Sequence, residues 1–132
     1  MTNIKQNDLI QSVADAFQFI SYYHPKDFIT ALGKAYELEQ GHGAKDAIAQ
    51  ILTNSRMCAE GHRPMCQDTG IAVVFLKIGM NVQWPDATMS VTEMVNEGVR
   101  RAYLNPENTL RASVLADPAG KRKNTGDNTP AV

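Results

Sequence analysis

Cys66-Gln67-Asp68-Thr69-Gly70, running straight into Ile71-Ala72-Val73-Val74-Phe75-Leu76, is the stretch on which the reading of this chain turns. Residues 63–69 hold Pro64 and mostly polar groups, so they read as a loop. The apolar run that follows is typical of a buried strand. Gly70 lets the backbone approach a neighbour closely. Gln67, Asp68 and Thr69 surround the cysteine with groups that can hydrogen-bond a substrate. Cys66 therefore sits on a loop entering a core strand.

Upstream, Ile10, Val13, Ala14, Phe17 and Ile20 keep helical spacing with Asn7 or Asp8 as N-cap, which predicts a helix over about 8–22. His24-Pro25 restarts the pattern, and Phe28, Ala31, Leu32, Ala35 and Leu38 form the stripe of a second helix over about 25–40. Gly41-His42-Gly43 breaks the chain. Ala47, Ile48, Ile51, Leu52, Ser55 and Cys58 then line one face of a third helix, which Gly61 can end. Downstream of a turn-rich stretch at 79–88, Ser90-Val91-Thr92-Glu93 is a capping box. It opens a helix with Val91, Met94, Val95, Val99 and Ala102 on one side, ending near Asn105-Pro106. Residues 117–132 have no hydrophobic period, yet the final Asn124-Thr125-Gly126-Asp127-Asn128-Thr129-Pro130-Ala131-Val132 reads as an ordered turn leading into another strand. The chain is accordingly expected to be cut short at its C-terminus.

These elements predict an α+β fold, N-terminal helices packed on a small mixed β-sheet seeded by residues 71–78. A length of 132 residues suits one small domain, and 43% hydrophobic with 20% charged residues is ordinary for a globular chain. Thirteen basic against fourteen acidic side chains leave a net charge of -1, which argues against nucleic acid or an anionic membrane surface as partner. No apolar stretch approaches the roughly 18 residues of a membrane span, and the polar start lacks a secretory signal, so the cytoplasm is the expected compartment.

Cys58, His62 and Cys66 fall four apart, an interval that invites zinc, although the paired close spacings of structural zinc sites are absent. Cys58 also continues the apolar stripe of the third helix and reads as a small core residue. Cys66 lies off any stripe. On its neighbours alone it is open to three readings: zinc ligand, cluster ligand, or nucleophile with His62 as base. His24 and His42 sit at helix boundaries and read as structural. Lys121, Arg122 and Lys123 read as a solvated face, although residues 111–132 carry four cations against Asp117 and Asp127, which allows an anion nearby.

The ordered set of Cys66-Gln67-Asp68-Thr69-Gly70, Glu97-Gly98-Val99-Arg100-Arg101-Ala102-Tyr103, Leu110-Arg111 and Asn124-Thr125-Gly126-Asp127-Asn128-Thr129-Pro130-Ala131 resembles the N-terminal region of class I fumarate hydratases, over essentially the whole chain. Related hydro-lyases such as tartrate dehydratase alpha subunits are expected to approximate the pentapeptide. The resemblance implies a 4Fe-4S cluster held by three cysteines, with one iron open to substrate as a Lewis acid. Cys66 matches the first ligand. Gln67 and Asp68 match positions facing the dicarboxylate, and Arg111 a substrate-binding arginine whose planar fork suits a carboxylate. An ionised Asp68 would repel a dianion, so a shared proton or nearby cation is implied.

With two cysteines, one copy of this chain cannot supply three thiolates. The resemblance therefore makes residues 1–132 the N-terminal part of a larger catalytic domain acting on fumarate and malate. The other ligands, the C-terminal substrate arginines and the catalytic base are expected from the rest of the polypeptide or a second subunit, in a homodimer when full length. The isolated chain is expected to be inactive and without its cluster. A tartrate-type dehydratase, or a non-catalytic binding module of the same fold, are the alternatives.

Overall fold

The computed structural model of the protein describes residues 1–65 and 70–132. Helix α1 (Gln6–Tyr22) begins where one glutamine clasps a distant turn. The Gln6 amide donates to Asp86 Oδ1 at 2.9 Å, and its side-chain oxygen accepts the amides of Thr88 and Met89 at 2.9 and 3.0 Å. Just ahead of it lies the sheet, two short parallel strands, β1 (Thr2–Asn3) and β2 (Val82–Gln83). Helices α2 (Lys26–Leu38) and α3 (His42–Gly61) follow α1, and α4 (Val91–Tyr103) follows β2. The fold is α+β, as the periodicity predicts.

The described residues divide into two compact units, one of residues 1–18 and 70–132, the other of residues 19–65. In the first, α1 presents Ile10, Val13 and Ala14 to a core completed by Ala72, Leu110 and the Val95, Val99, Ala102 and Tyr103 face of α4. The predicted capping box is formed: Ser90 Oγ accepts the Glu93 amide while the Glu93 carboxylate accepts the Ser90 amide at 2.7 Å. Gly98 makes the close approach possible. A Cβ there would stand 2.6 Å from Val13 Cβ and 2.7 Å from the Ile10 carbonyl oxygen.

In the second unit α2 packs on α3. His24 Nδ1 lies 2.9 Å from the hydroxyl of buried Ser55, and its ring stacks on Phe28 at 4.6 Å, the structural role expected of it. Pro25 is the N-cap of α2, so the helix begins at Lys26, one residue later than expected. Helix α3 starts at His42 with Gly41 as its N-cap, and Gly43 lies inside the helix. At its other end His62, not Gly61, takes the left-handed conformation (φ 46°). The His62 ring stacks on Tyr22 at 4.6 Å and 14°, contacts that offset the strain of a side chain at that φ.

Two expectations fail for one physical reason. The sheet is parallel and made from residues 2–3 and 82–83, not seeded by 71–78. In the 71–78 run Ala72 is buried (1% exposed), but Phe75 is 94% exposed and Ile71, Val73, Leu76 and Ile78 are exposed too. Among the described residues its backbone pairs with Val132, through Val74 N–H to the Val132 carbonyl at 2.8 Å and Val132 N–H to the Ala72 carbonyl at 2.9 Å. The α2 stripe likewise has no buried residue. Apolar content states which surface prefers to leave water, and burial also needs a partner, which the described residues do not supply here. Among the described residues no helix is long and apolar enough to cross a membrane.

The Gly98 contact is testable. Gly98→Ala gains helix propensity, yet the new methyl group meets a backbone carbonyl that cannot swing aside, so overpacking wins. A net destabilisation of about 1–3 kcal/mol is expected in urea unfolding. An unchanged or raised midpoint would refute the close packing of α1 on α4.

Candidate functional site

Cys66, Gln67 and Asp68, three of the four residues singled out by sequence, lie outside the described residues. The residues flanking them are described. Met65 is buried and its amide donates to the Ser21 carbonyl at 2.9 Å. Gly70 offers its carbonyl to Asn128 Nδ2 at 3.2 Å. Of the two cysteines, Cys58 is a free, buried thiol whose Sγ donates to the Pro64 carbonyl at 3.7 Å. That is the core role read from the α3 stripe. His62 Nε2 lies 3.5 Å from the Tyr23 hydroxyl. No group of three or more metal-ligating side chains gathers among the described residues. With Cys58 buried and hydrogen-bonded to Pro64, a three-cysteine cluster of the kind the resemblance implies would draw at most one thiolate, that of Cys66, from one copy of this chain.

Arg111 is the described member of the set. The segment leaves the core at Leu110, whose amide donates to the Tyr103 carbonyl at 3.2 Å, and then alternates: Leu110, Ala112 and Val114 turn inward, Arg111, Ser113 and Leu115 outward. Arg111 is exposed, and among the described residues it has no ion-pair partner. The backbone beneath it is fixed. Asn124 Nδ2 donates to the Ala112 carbonyl at 2.8 Å, Thr125 N–H donates to the Val114 carbonyl at 2.9 Å, and Ala116 N–H to the Lys123 carbonyl at 2.8 Å. Lys121, Arg122 and Lys123 lie exposed at the tip of this hairpin-like turn, which Asp117 organises by accepting the Gly120 and Lys121 amides.

The residue that sequence reasoning quoted without giving it a role is Asn128. It is 0% exposed and left-handed (φ 62°). Its Oδ1 accepts the Ser113 amide at 2.6 Å and the Val114 amide at 3.1 Å, while Nδ2 donates to Gly70. The same amide hydrogen-bonds the Tyr103 phenol, partly offsetting the burial that pushes that phenol's pKa up. The turn around it is built by Asx-type bonds: Gly126 N–H to Asn124 Oδ1 at 2.7 Å and Thr129 N–H to Asp127 Oδ1 at 3.0 Å. An Asn inside a Gly-Asp-Asn-Thr-Pro run signals a turn; only its burial reveals a polar hub.

On α4, Glu97 grips two arginines. Arg100 donates from Nε and Nη2 at 2.7 and 2.8 Å, and Arg101 from Nε at 2.9 Å, with Arg101 Nη1 reaching Asn7 Oδ1 on α1 at 2.9 Å. The Arg100 hydrogen bond holds the Glu97 carboxyl down at about 2 against the opposing effect of burial, with Arg101 assisting. Both cations are thereby occupied, in contrast with Arg111.

The α+β frame and these site-bearing segments coincide with one family. The family model described as fumarate hydratase (Fumerase) matches residues 10–132, and the chain belongs to that family. It is 34% identical over 122 residues to the protein named "Putative L(+)-tartrate dehydratase subunit alpha" of Methanocaldococcus jannaschii, a match spanning 91% of this chain and 42% of that relative. It is also 34% identical over 122 residues to the anaerobic class I fumarate hydratase of Escherichia coli K12, spanning 92% of this chain and 21% of that enzyme. Identity to the L(+)-tartrate dehydratase subunit alpha of the same strain is 26% over 126 residues, 96% of this chain and 41% of that subunit. The chain thus spans well under half the length of these relatives.

The Glu97 cluster sets a pH dependence. Its folded pKa lies below the ordinary carboxyl value of 4.5, so its contribution is complete above about 4.5 and is lost as pH falls through about 2. Glu97→Gln is expected to lower stability at pH 7 by on the order of 1 kcal/mol, solvent screening of the exposed arginines limiting the pair. It should also flatten the acid limb of the Tm-versus-pH curve; a variant with the wild-type acid limb would contradict the assignment.

Proposed function

We propose that the protein carrying this chain is a hydro-lyase that adds water reversibly across the double bond of fumarate to give malate, and that this chain forms one side of its dicarboxylate site. The observation that carries the reading is Arg111, an exposed guanidinium without an ion-pair partner among the described residues, on an anchored backbone, in a chain of the fumarate hydratase family. Its fork suits a carboxylate in bidentate fashion, which a lysine would not reproduce. Gln67 hydrogen-bonds carboxylate or hydroxyl oxygens of the substrate. Asp68 does so while sharing a proton or facing a cation, since an ionised carboxylate alone would repel a dianion.

Cys66 is the one thiolate this chain gives to a 4Fe-4S cluster. When bound, that cluster supplies a Lewis-acid iron for the negative charge that develops on oxygen as hydroxide leaves carbon. The remaining ligands and the catalytic base belong to the rest of the polypeptide or to a second subunit. The exposed apolar residues Ile71, Val73 and Phe75 give such a partner a surface to cover. The reading includes a homodimer and a cytoplasmic setting, where thiols stay reduced.

A second reading stands beside it. Two of the three relatives named above carry tartrate dehydratase subunit alpha in their names, and on that reading the substrate is a hydroxylated dicarboxylate and the partner a separate subunit.

The test is made on the anaerobically purified protein that carries this chain. Arg111→Met is expected to lower kcat/KM for fumarate on the order of 100-fold with cluster absorbance unchanged, the loss of a bidentate charge-assisted pair. A change within assay error would remove Arg111 from the site. Preference for L(+)-tartrate over fumarate would select the second reading, and turnover of neither substrate by cluster-loaded protein would end both. The 132-residue chain by itself is expected to retain no stable cluster and show no turnover after anaerobic reconstitution.

A further inference from the structure

The segment 71–78 is paired along one edge, and there with a single residue. The Val132 amide donates to the Ala72 carbonyl at 2.9 Å, and the Val132 carbonyl accepts the Val74 amide at 2.8 Å. One residue bonded to two that lie two apart is the pattern of parallel strands, with Val132 opposite Val73. Both backbones therefore run in the same direction. The Leu76 and Ile78 amides, which share the parity of Val74, donate to no group among the described residues.

The side chains follow the same alternation. Ala72 and Val74 face the core, yet Leu76 and Ile78, of the same parity, are 46% and 45% exposed. Val132 is exposed on the outer face with Val73, whereas Ala131 packs against the core. Beside Ala131 lies an apolar cavity of about 150 Å³, lined among others by Val74, Leu76, Val91, Val95 and Val132. An extended chain prolonged past Val132 turns its first residue to the side of Ala131, and so into this cavity, because side chains alternate along a strand.

We propose that the residues following Val132 in the longer polypeptide add to 74–78 as a parallel strand. The first of them fills the cavity with an aliphatic side chain, and the carbonyls of the second and fourth accept the Leu76 and Ile78 amides, continuing in steps of two the bond from Val74 to Val132. The inference rests on the reading that a longer polypeptide carries this chain, which spans well under half the length of the relatives it matches. A strand of a separate subunit on this edge would have to begin against the Val132 carbonyl, whereas a continuous chain needs only the next peptide bond.

The experiment is made on the anaerobically purified longer protein. Phe75→Cys is combined with a cysteine at the second residue beyond Val132, which the register places opposite it at about 4.8 Å between Cα atoms, within reach of a disulfide. Diamide treatment and peptide mapping are expected to show that link within one chain. A cysteine at the first residue beyond Val132, whose side chain enters the cavity on the other face, is the control and should stay unlinked to Phe75→Cys. Hydrogen exchange of the unsubstituted protein decides the matter should these variants misfold: the Leu76 and Ile78 amides are expected to exchange on the order of 100-fold more slowly than open backbone. Links formed only between chains, which would put a strand of another copy on this edge, overturn the proposal. So does equal linking of the control, or unprotected exchange at Leu76 or Ile78. A purified mass of 132 residues would end the longer-polypeptide reading itself, whereas a larger mass with unprotected amides ends only the strand. Neither readout is turnover, so the hydro-lyase reading stands or falls separately.

Discussion

The first unit depends on the missing side chain at Gly98. Two helices pack at a distance set by the residues at their crossing, and here the crossing residue of α4 meets the Ile10 carbonyl and Val13 directly. With the axes that close, Val95, Val99 and Ala102 reach the α1 face, and Val99 is sealed at 0% exposure. Tyr103, at the end of the same helix, then packs against Phe17 with ring centroids 6.3 Å apart. Leu110 is hung from the Tyr103 carbonyl. The outward face of Arg111 follows from parity: with Leu110 committed to the core, the next side chain of an extended segment points the other way. A slip of one residue would put the guanidinium into the apolar core and leave a leucine in its place.

Asn128 solves a different problem. The chain from 110 to 132 has little regular structure to satisfy its backbone, with only the single bridge Leu115–Asn124 between its arms. Beside backbone bonds at Leu110, Ala116, Arg122, Thr125 and Val132, further amides and carbonyls are met by side chains, those of Asp117, Asn124, Asp127, Asn128 and, for the Ala131 amide, Asn96 of α4. At fully buried Asn128 these bonds matter most, because an orphaned donor or acceptor there costs about 1–3 kcal/mol, more than a typical hydrogen bond contributes. A loop can then be as well determined as a helix, though its determinants are single side chains.

This difference explains what was legible in the sequence. The helices were, since 3.6-residue spacing and a capping box are local signals: the capping box at Ser90 and the buried face of α4 stand where they were read. The strands were not, because two residues apiece carry no period. The 71–76 run illustrates a subtler limit. Its composition reports a preference for burial, and only Ala72 has found it in these residues. For the site, the resemblance singled out Arg111 as a binding residue; it lies exposed on an anchored backbone, and that exposure assigns it no ligand. Sequence reading gave Asn128 no role, because a buried hub and an exposed turn residue are written with the same letter.

The motifs that assign the family are mostly motifs of the frame. In the run 97–103, Glu97 holds Arg100 and Arg101, Gly98 admits α1, Val99 and Ala102 fill the core, and Tyr103 supports Leu110. In the run 124–131, Asn124, Asp127 and Asn128 spend their side chains on the backbone. Residues of this kind are constrained by packing and hydrogen bonding, independently of any ligand. The chain is 34% identical to a class I fumarate hydratase and 34% identical to a protein named as a tartrate dehydratase subunit alpha, so percentage identity does not choose between the two. Two substrates that differ by hydroxyl groups are told apart by a few polar contacts to those hydroxyls, which a count of matching positions barely registers. An arginine proposed to grip a carboxylate, a group common to both substrates, cannot carry that distinction.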